Sequence, residues 1–150
     1  MRTTIYGYIE EMDFWKDPIR KTIREYNSNA ANALPTGDHW PPLSKEMFAI
    51  CENKNNKAHE VDLEYSGRII HFGANLKSIE QDWEHWKSKF ETFLSTLYFL
   101  EARVHFKTEY SLLETSSWRI DLLNYKVNHD GQMPTKIKHT DWQYESTFDR

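Results

Sequence analysis

Histidine and acidic side chains at alternating positions of predicted strands could together bind a metal ion. Asp62 and His71 lie on the two arms of a predicted hairpin, and His105 lies on a later strand. If the strands are neighbours, these residues form a two-histidine, one-carboxylate set. The spaced motifs H-x-x-x-H, H-E-x-x-H and C-x-x-C do not occur in the sequence. Surface histidines are therefore the preferred interpretation, and no metal or other cofactor is expected.

Other kinds of catalytic site find little support in the sequence. Cys51, the only cysteine, lies in the apolar run 46–52 and is expected to be a buried, unreactive thiol. The nucleophile motif G-x-S-x-G, the P-loop and the dinucleotide glycine pattern are absent. The chain is therefore not expected to be an enzyme. A single cysteine also excludes an intramolecular disulfide and fits a reducing, cytoplasmic setting.

Polar residues alternate with apolar ones in several predicted strands and should share one face of a sheet. We call this the outer face, meaning the side chains that point away from the predicted helices. It would carry Tyr6, Tyr8, Glu60, Asp62, Glu64, His71, Arg103, His105 and Lys107, with Arg119 and Asp121 as further candidates. Opposite charges there could simply compensate each other, at a few tenths of a kcal/mol to ~1 kcal/mol a pair. Alternatively, the outer face is a polar recognition surface.

The tyrosines and arginines of the outer face also suggest a stacking platform for single-stranded RNA. The aromatic and glycine signature of such platforms is missing, and Glu60, Asp62 and Glu64 would repel phosphates. The net charge of −4 gives the whole chain no basic footprint either. Nucleic acid is therefore not expected as a partner.

One long amphipathic helix is the strongest structural signal in the chain. Its apolar residues recur at steps of three and four: Ile79, Trp83, Trp86, Phe90, Phe93, Leu94 and Leu97. Ser78 and Gln81 have the spacing of a capping box. This spacing predicts that the tryptophans of the helix belong to the core. Trp15, Trp40 and Trp142 lie in less periodic segments and are predicted to be exposed anchors.

The remaining elements follow from alternation and turn signals. Residues 3–9 alternate as an opening strand, with Ile5, Gly7 and Ile9 on one side. Asp17 before Pro18 predicts the start of a first helix, whose apolar face weakens at Asn27. Residues 30–45 form a loop that exposes His39 and Trp40. Further strands are predicted at 46–52, 102–107 and 117–127, with a connection at 110–116 before the last of them. A hairpin is predicted from strands 61–65 and 68–74, with its turn at Ser66-Gly67.

The predicted order is therefore β-α-β-β-β-α-β-β, which indicates an α+β fold. Two helices would cover one face of a mostly antiparallel sheet in a two-layer sandwich, with a ferredoxin-like core as the first topology. Residues 1–128 form a single domain, and residues 129–150 form a partly irregular C-terminal tail. The N-terminus has no apolar signal segment, and no run approaches the ~20 apolar residues of a membrane span. A membrane is therefore not expected as a partner.

The chain resembles the immunity proteins that bacteria encode beside polymorphic or contact-dependent growth-inhibition toxins. The resemblance rests on IIHFGANLKSIEQDWEHWKSKFETFL followed by LEARVHF, and covers residues 60–125. It implies a non-enzymatic cytoplasmic protein that binds and neutralises a cognate toxin domain. Nuclease toxins are one class that fits, because an acidic protein associates rapidly with a basic partner.

The residues expected to bind such a partner combine exposed aromatics with the acidic strand. They are Tyr6, Tyr8, Trp40, Glu60, Asp62, Glu64 and Trp142. The acidic residues would occupy the place of phosphates, and the tryptophans would supply buried contact area. The alternative hypothesis is a small α+β domain that binds a metal ion or another ligand on the outer face. Such a domain could also be an enzyme.

Overall fold

The computed structural model describes residues 2–12, 18–51, 68–110, 112–121, 133, 136 and 138–149. The helices and strands, in chain order, are β1 (Arg2–Glu11), α1 (Ile19–Asn32), β2 (Phe48–Cys51), β3 (Ile69–Lys77), α2 (Trp83–Leu94), β4 (Phe99–Thr108), β5 (Leu113–Arg119) and β6 (Gln143–Asp149). Short 3-10 turns precede β2, α2 and β6. Three predictions lie outside the described residues: the N-cap Asp17, the exposed anchor Trp15, and the first arm and turn of the hairpin (61–67). No described helix is long and apolar enough to cross a membrane.

The strands form one antiparallel sheet in the order β2-β3-β1-β4-β5-β6. An α+β fold with helices on one face of an antiparallel sheet is thus confirmed. The segment from β1 to β4 runs β-α-β-β-α-β, and its strands follow the order of a ferredoxin-like core. β5 and β6 then extend this core on the β4 side. β1 and β4 are therefore the two central strands, and the neighbours of β1 are β3 and β4.

The core lies between the sheet and the two helices. Ile5 and Ile9 of β1 are almost fully buried, as their alternation predicts. Every residue of the predicted apolar face of α2 and its flanking turns is buried, which confirms that this face packs in the core. The rings of Trp83, Trp86 and Phe90 stack in sequence, with centroids 5.3 Å apart at each step. Burial of such large aromatic areas dominates the stability of a domain this size.

Gly7 lies in a crowded position between β4 and the ring of Phe72. A Cβ atom added there would lie 2.0 Å from the backbone oxygen of Arg103 and 2.9 Å from the ring of Phe72. The inward side of β1 therefore has no room for a side chain between Ile5 and Ile9. Glycine is the only residue that fits this position without displacing the sheet.

The start of α2 differs from the predicted capping box. Ser78 has a left-handed backbone (φ 54°), and its side chain makes no capping hydrogen bond. An N-cap normally has an extended backbone, from which its side-chain oxygen reaches the first free N–H groups. Ser78 instead turns the chain out of β3, and the 3-10 turn Ile79–Asp82 follows before α2 begins. The capping-box prediction is therefore wrong.

Helix α1 continues beyond the point where its apolar face was expected to weaken. Asn27 is buried, and three hydrogen bonds offset the cost of burying its polar side chain. Its Nδ2 donates to Glu11 (2.9 Å) and to the backbone oxygen of Tyr98 (3.0 Å), and its Oδ1 accepts from the Tyr98 N–H (2.8 Å). Asn27 thus joins α1 to the adjacent ends of β1 and β4, at one edge of the sheet, instead of ending the helix.

The C-terminal strands also differ from the prediction. β5 begins at Leu113, inside the predicted connection 110–116, and ends at Arg119. Its inward residues include Glu114 and Ser116, so apolar alternation does not mark them. Residues 143–149, interpreted from the sequence as part of an irregular tail, form β6, which pairs with β5 throughout. All of its residues are exposed, so no burial pattern marks it in the sequence. Residues 122–127 and 129–132 lie outside the described residues.

Candidate functional site

The outer face is organised around the tyrosines of β1. The strand register places Tyr6 between Gly73 of β3 and His105 of β4. Tyr8 lies one step further along, between His71 and Arg103. These side chains point away from the helices because Ile5 and Ile9, which alternate with them, are buried in the core. The sequence prediction of a shared face is therefore confirmed for the described residues.

Tyr6 and His105 form an ordered pair on the outer face. Their ring centroids are 4.9 Å apart, and Nδ1 of His105 lies 2.9 Å from the hydroxyl oxygen of Thr115. Tyr6 remains 39% exposed, so a partner can contact its ring. Burial, with the nearby charge of Arg103, lowers the pKa of His105 below its usual 6.5. The histidine is consequently neutral at pH 7.

Arg103 links Tyr8 to charged neighbours. Its guanidinium lies 6.0 Å from the centre of the Tyr8 ring, and its Nη2 donates to Glu101 at 2.9 Å. Arg119 approaches the same carboxylate at 3.7 Å. Two arginines therefore share one glutamate, and the exposed Lys107 lies on the same face towards the other end of β4. The described centre of the outer face is aromatic and basic; the predicted acidic residues Glu60, Asp62 and Glu64 lie outside the described part of the chain.

The proposed metal site does not form as the sequence suggested. β1 separates β3 from β4, so His71 and His105 lie on opposite sides of it and do not face each other on adjacent strands. The strand partners of His71 and His105 are Tyr8 and Tyr6 of β1, which stand between the two histidines. Asp62 is outside the described residues. Within the described ranges, no group of three or more His, Cys, Asp and Glu side chains could hold a metal ion.

The predicted partner-binding tryptophans lie away from the outer face. Trp40 is 49% exposed, in the loop beside α2, and its Nε1 donates to Asp82 at 2.7 Å. Trp142 is only partly exposed, because its ring packs edge-on against Phe99 and His139. Trp40 is therefore an exposed aromatic, as predicted, whereas Trp142 mainly anchors the chain that enters β6. The structure does not combine either residue with Tyr6 and Tyr8 in one surface.

The loop that carries Trp40 is held by one lysine of α2. The ammonium group of Lys89 donates to Asp38 (2.9 Å) and to the backbone oxygens of His39 (3.2 Å) and Pro41 (2.8 Å). Its hydrogen bond, with that from the backbone N–H of Leu43, lowers the pKa of Asp38. A groove of about 370 Å³ lies next to this contact, between α1 and α2. Its wall is mainly apolar, and Asp38 and Lys89 at its rim are already paired with each other.

Cys51 is exposed, so the prediction of a buried thiol is wrong. Phe48 and Ile50 of β2 pair with the buried Phe72 and Ile70 of β3, which leaves the alternate positions on the outer face. Cys51 is one of these alternate positions.

Two buried polar networks were not predicted from the sequence. The carboxylate of Glu11 is fully buried and accepts hydrogen bonds from Arg68 (2.7 Å) and Asn27 (2.9 Å). Glu11 falls on the same side of β1 as Ile5, Gly7 and Ile9, because every second residue of a strand points inward. This alternation is the sequence signal that could have predicted its burial.

The second network surrounds Lys87, which lies on the apolar stripe of α2 between Trp83 and Phe90. Its ammonium contacts Glu84 (2.8 Å), the Tyr144 hydroxyl (3.1 Å) and Glu114 (3.5 Å). Burial by itself lowers the pKa of Lys87, but the hydrogen bonds to Glu84 and Tyr144 and the charge of Glu114 outweigh it and raise that pKa. The lysine is therefore charged in the folded protein and ties α2 to β5 and β6.

No protein-family model, curated protein or solved structure matches this chain. The candidate site is therefore described by the geometry of the outer face and the chemistry of its residues.

Proposed function

We propose that the chain is a non-enzymatic binding protein whose principal contact surface is the outer face. Its partner, in this proposal, is a cognate bacterial toxin domain, which makes the chain a cytoplasmic immunity protein. The partner class comes from the sequence resemblance in residues 60–125. The observation that carries the choice of surface is the paired arrangement of Tyr6 with His105 and of Tyr8 with Arg103.

Ordered aromatic side chains suit this role for an energetic reason. A flexible side chain loses about 0.5–1.5 kcal/mol of conformational freedom when a partner immobilises it. Tyr6 and Tyr8 are already held against their neighbours across the sheet, so less of this freedom remains to be lost. Tyrosine is also among the residues that most often dominate the binding energy of protein interfaces. The central strand β1 therefore offers a rigid contact area.

The charges of the outer face limit the chemistry of the partner. Arg103, Lys107 and Arg119 favour carboxylates or another acidic group against the described centre of this face. A basic nuclease domain would instead suit Glu60, Asp62 and Glu64. Nuclease activity is thus one proposal for the toxin, and the outer face alone does not favour it over other toxin activities.

Growth rescue is the direct test of the proposed function. The chain is co-expressed with the product of the adjacent gene in a bacterial host, and growth and co-purification are recorded. We expect the neighbouring product to arrest growth when expressed alone, and to be neutralised and co-purified when the chain is present. A neighbour that is harmless alone and does not co-purify contradicts the proposal.

Binding of a single-stranded RNA or a similar planar ligand is the second candidate. It is favoured by one observation: two tyrosines lie among Arg103, Lys107 and Arg119 on one sheet face. Titration with fluorescent homopolymeric RNA tests it. Binding that weakens with salt and disappears in Tyr6→Ala supports this candidate, and absence of binding at low salt excludes it.

A further inference from the structure

β6 forms one edge of the sheet and is exposed along its whole length. It is hydrogen-bonded to β5 on one side, and no described strand pairs with its other side. All seven residues of Gln143–Asp149 are exposed, including Phe148 (63%) and Tyr144 (47%). An edge strand presents unpaired backbone N–H and C=O groups that another extended segment can bind.

Apart from the charges of Glu145 and Asp149, β6 itself carries few of the features that usually protect such strands. Natural edges are commonly shortened, bulged, or guarded by Lys, Pro or inward-pointing charges. β6 contains no Lys, Pro or Gly, and it pairs with β5 from Arg119↔Gln143 to Leu113↔Asp149 without a shift in register. This edge is therefore regular, and in the described part of the chain its free side has no strand partner.

β6 is also held firmly in place on the sheet. The Tyr144 hydroxyl contacts both Lys87 and Ser116 at 3.1 Å, and the Ser146 hydroxyl donates to Glu114 at 3.1 Å. A segment that added to this edge would pair with an ordered strand. It would not first have to immobilise a loose one, so the cost of ordering is reduced.

The two sides of β6 have different chemistry. Glu145, Thr147 and Asp149 pair with outer-face residues of β5, whereas Tyr144 and Phe148 lie on the helix side beside Trp118 and Glu114. The complementary strand alternates basic residues, opposite the carboxylates, with apolar residues opposite the rings. A second copy of β6 is a poor match. In antiparallel pairing about Ser146, Glu145 would have Glu145 and Asp149 of the other copy as diagonal neighbours.

We infer that β6 is a docking edge for an extended segment of a protein partner in which basic and apolar residues alternate. This inference rests on the proposed function, because it specifies the kind of segment that the protein partner adds to the sheet. It names a second contact surface, separate from Tyr6 and Tyr8 on β1.

Peptide binding tests the edge without the toxin. The probe is a short fluorescent peptide in which Lys alternates with Val, and a peptide of the same composition with all Val before all Lys is the control. We expect only the alternating peptide to bind the full chain, and amide hydrogen exchange to slow at alternate residues of β6. The double variant Glu145→Lys, Asp149→Lys should weaken that binding at least about fivefold, since each opposed charge pair in a sheet contributes measurably.

A charge swap completes the test. The double variant should gain affinity for a peptide that alternates Glu with Val, while Glu10→Lys with Glu109→Lys, the same charge change outside β6, should leave the specificity unaltered. Equal binding of the block peptide, or an unchanged affinity in the β6 variant, overturns the inference. Failure of growth rescue, by contrast, would count against the proposed function and leave the peptide result standing.

Discussion

Glu11 is the residue whose removal should destabilise the fold most through a polar interaction. Its carboxylate is fully buried and is paired with Arg68, which is itself almost fully buried. Glu11→Ala leaves the guanidinium without this partner, which typically costs about 3–5 kcal/mol. We expect the urea unfolding midpoint to fall sharply, while Glu10→Ala, at the exposed neighbouring position, changes it little. Similar midpoints for the two variants would show that the buried pair contributes little.

His105 should make stability depend on pH. Its pKa is lowered in the folded state by burial and by Arg103, so the unfolded chain binds the proton more readily than the folded chain. Its contribution is therefore complete above pH 6.5 and is lost as the pH falls through the lower folded pKa. We expect the free energy of unfolding to decline less on acidification in His105→Gln than in the wild type. Denaturant titrations between pH 7.5 and about pH 5 measure this difference; parallel pH curves would contradict it.

Residue types alone predicted which side chains are buried where apolar and polar residues alternate regularly. Tyr6 and Tyr8 were placed correctly on the outer face because Ile5 and Ile9 required the other side. The burial of Glu11 and Lys87 was not predicted, because a charged residue is normally expected to be exposed even when it falls on the apolar side of a strand or helix. Its burial depends on a partner that is distant in the sequence, such as Arg68 or Glu114.

Two lysines of α2 hold two different elements, and this separation is testable. Lys87 contacts Glu114 and Tyr144 and so fixes β6, whereas Lys89 binds Asp38 and two loop carbonyl groups. We expect Lys87→Met to speed amide hydrogen exchange mainly in β6, and Lys89→Met to speed it mainly in residues 38–43. The buried ion pair makes the first substitution the more destabilising, by about 1–3 kcal/mol. Exchange that rises equally in both regions for both variants would contradict this division.

At the scale of elements, strong periodicity was a reliable guide and its absence was not. α2 and the strands β1, β3 and β4 have one clearly apolar side, so their existence and type were predictable. β6 has no buried residue, and β5 buries Glu114 and Ser116, so neither carries the alternation that identifies a strand. Both are strands because β4 offers an edge to β5, and β5 offers one to β6. The pairing of one strand with a neighbouring edge cannot be predicted from the residues of that strand alone.

At the scale of the molecule, the fold class followed from the order of elements, but the location of the site needed the strand order. The partner-binding residues expected from the sequence were Tyr6, Tyr8, Trp40, Trp142 and the acidic residues Glu60, Asp62 and Glu64. In the structure, Trp40 lies beside α2, and Trp142 is packed against Phe99. Tyr6 and Tyr8 lie on the outer face with Arg103 and His105, whereas the acidic residues 60, 62 and 64 are outside the described part of the chain. The order of the strands in the sheet determines which side chains share a surface. For the same reason His71 and His105 are separated, because β1 lies between β3 and β4.

The affinity of tyrosine variants for the proposed toxin partner tests the central claim most directly. Isothermal titration compares the wild type with the double variant Tyr6→Ala, Tyr8→Ala and with Tyr110→Ala, which removes a more exposed tyrosine (82%) from the turn after β4. We predict that the double variant loses about 2–4 kcal/mol of binding free energy, as hot-spot residues do, while its unfolding midpoint is nearly unchanged. Tyr110→Ala should bind like the wild type. Full affinity in the double variant would contradict the assignment of the outer face as the principal contact surface.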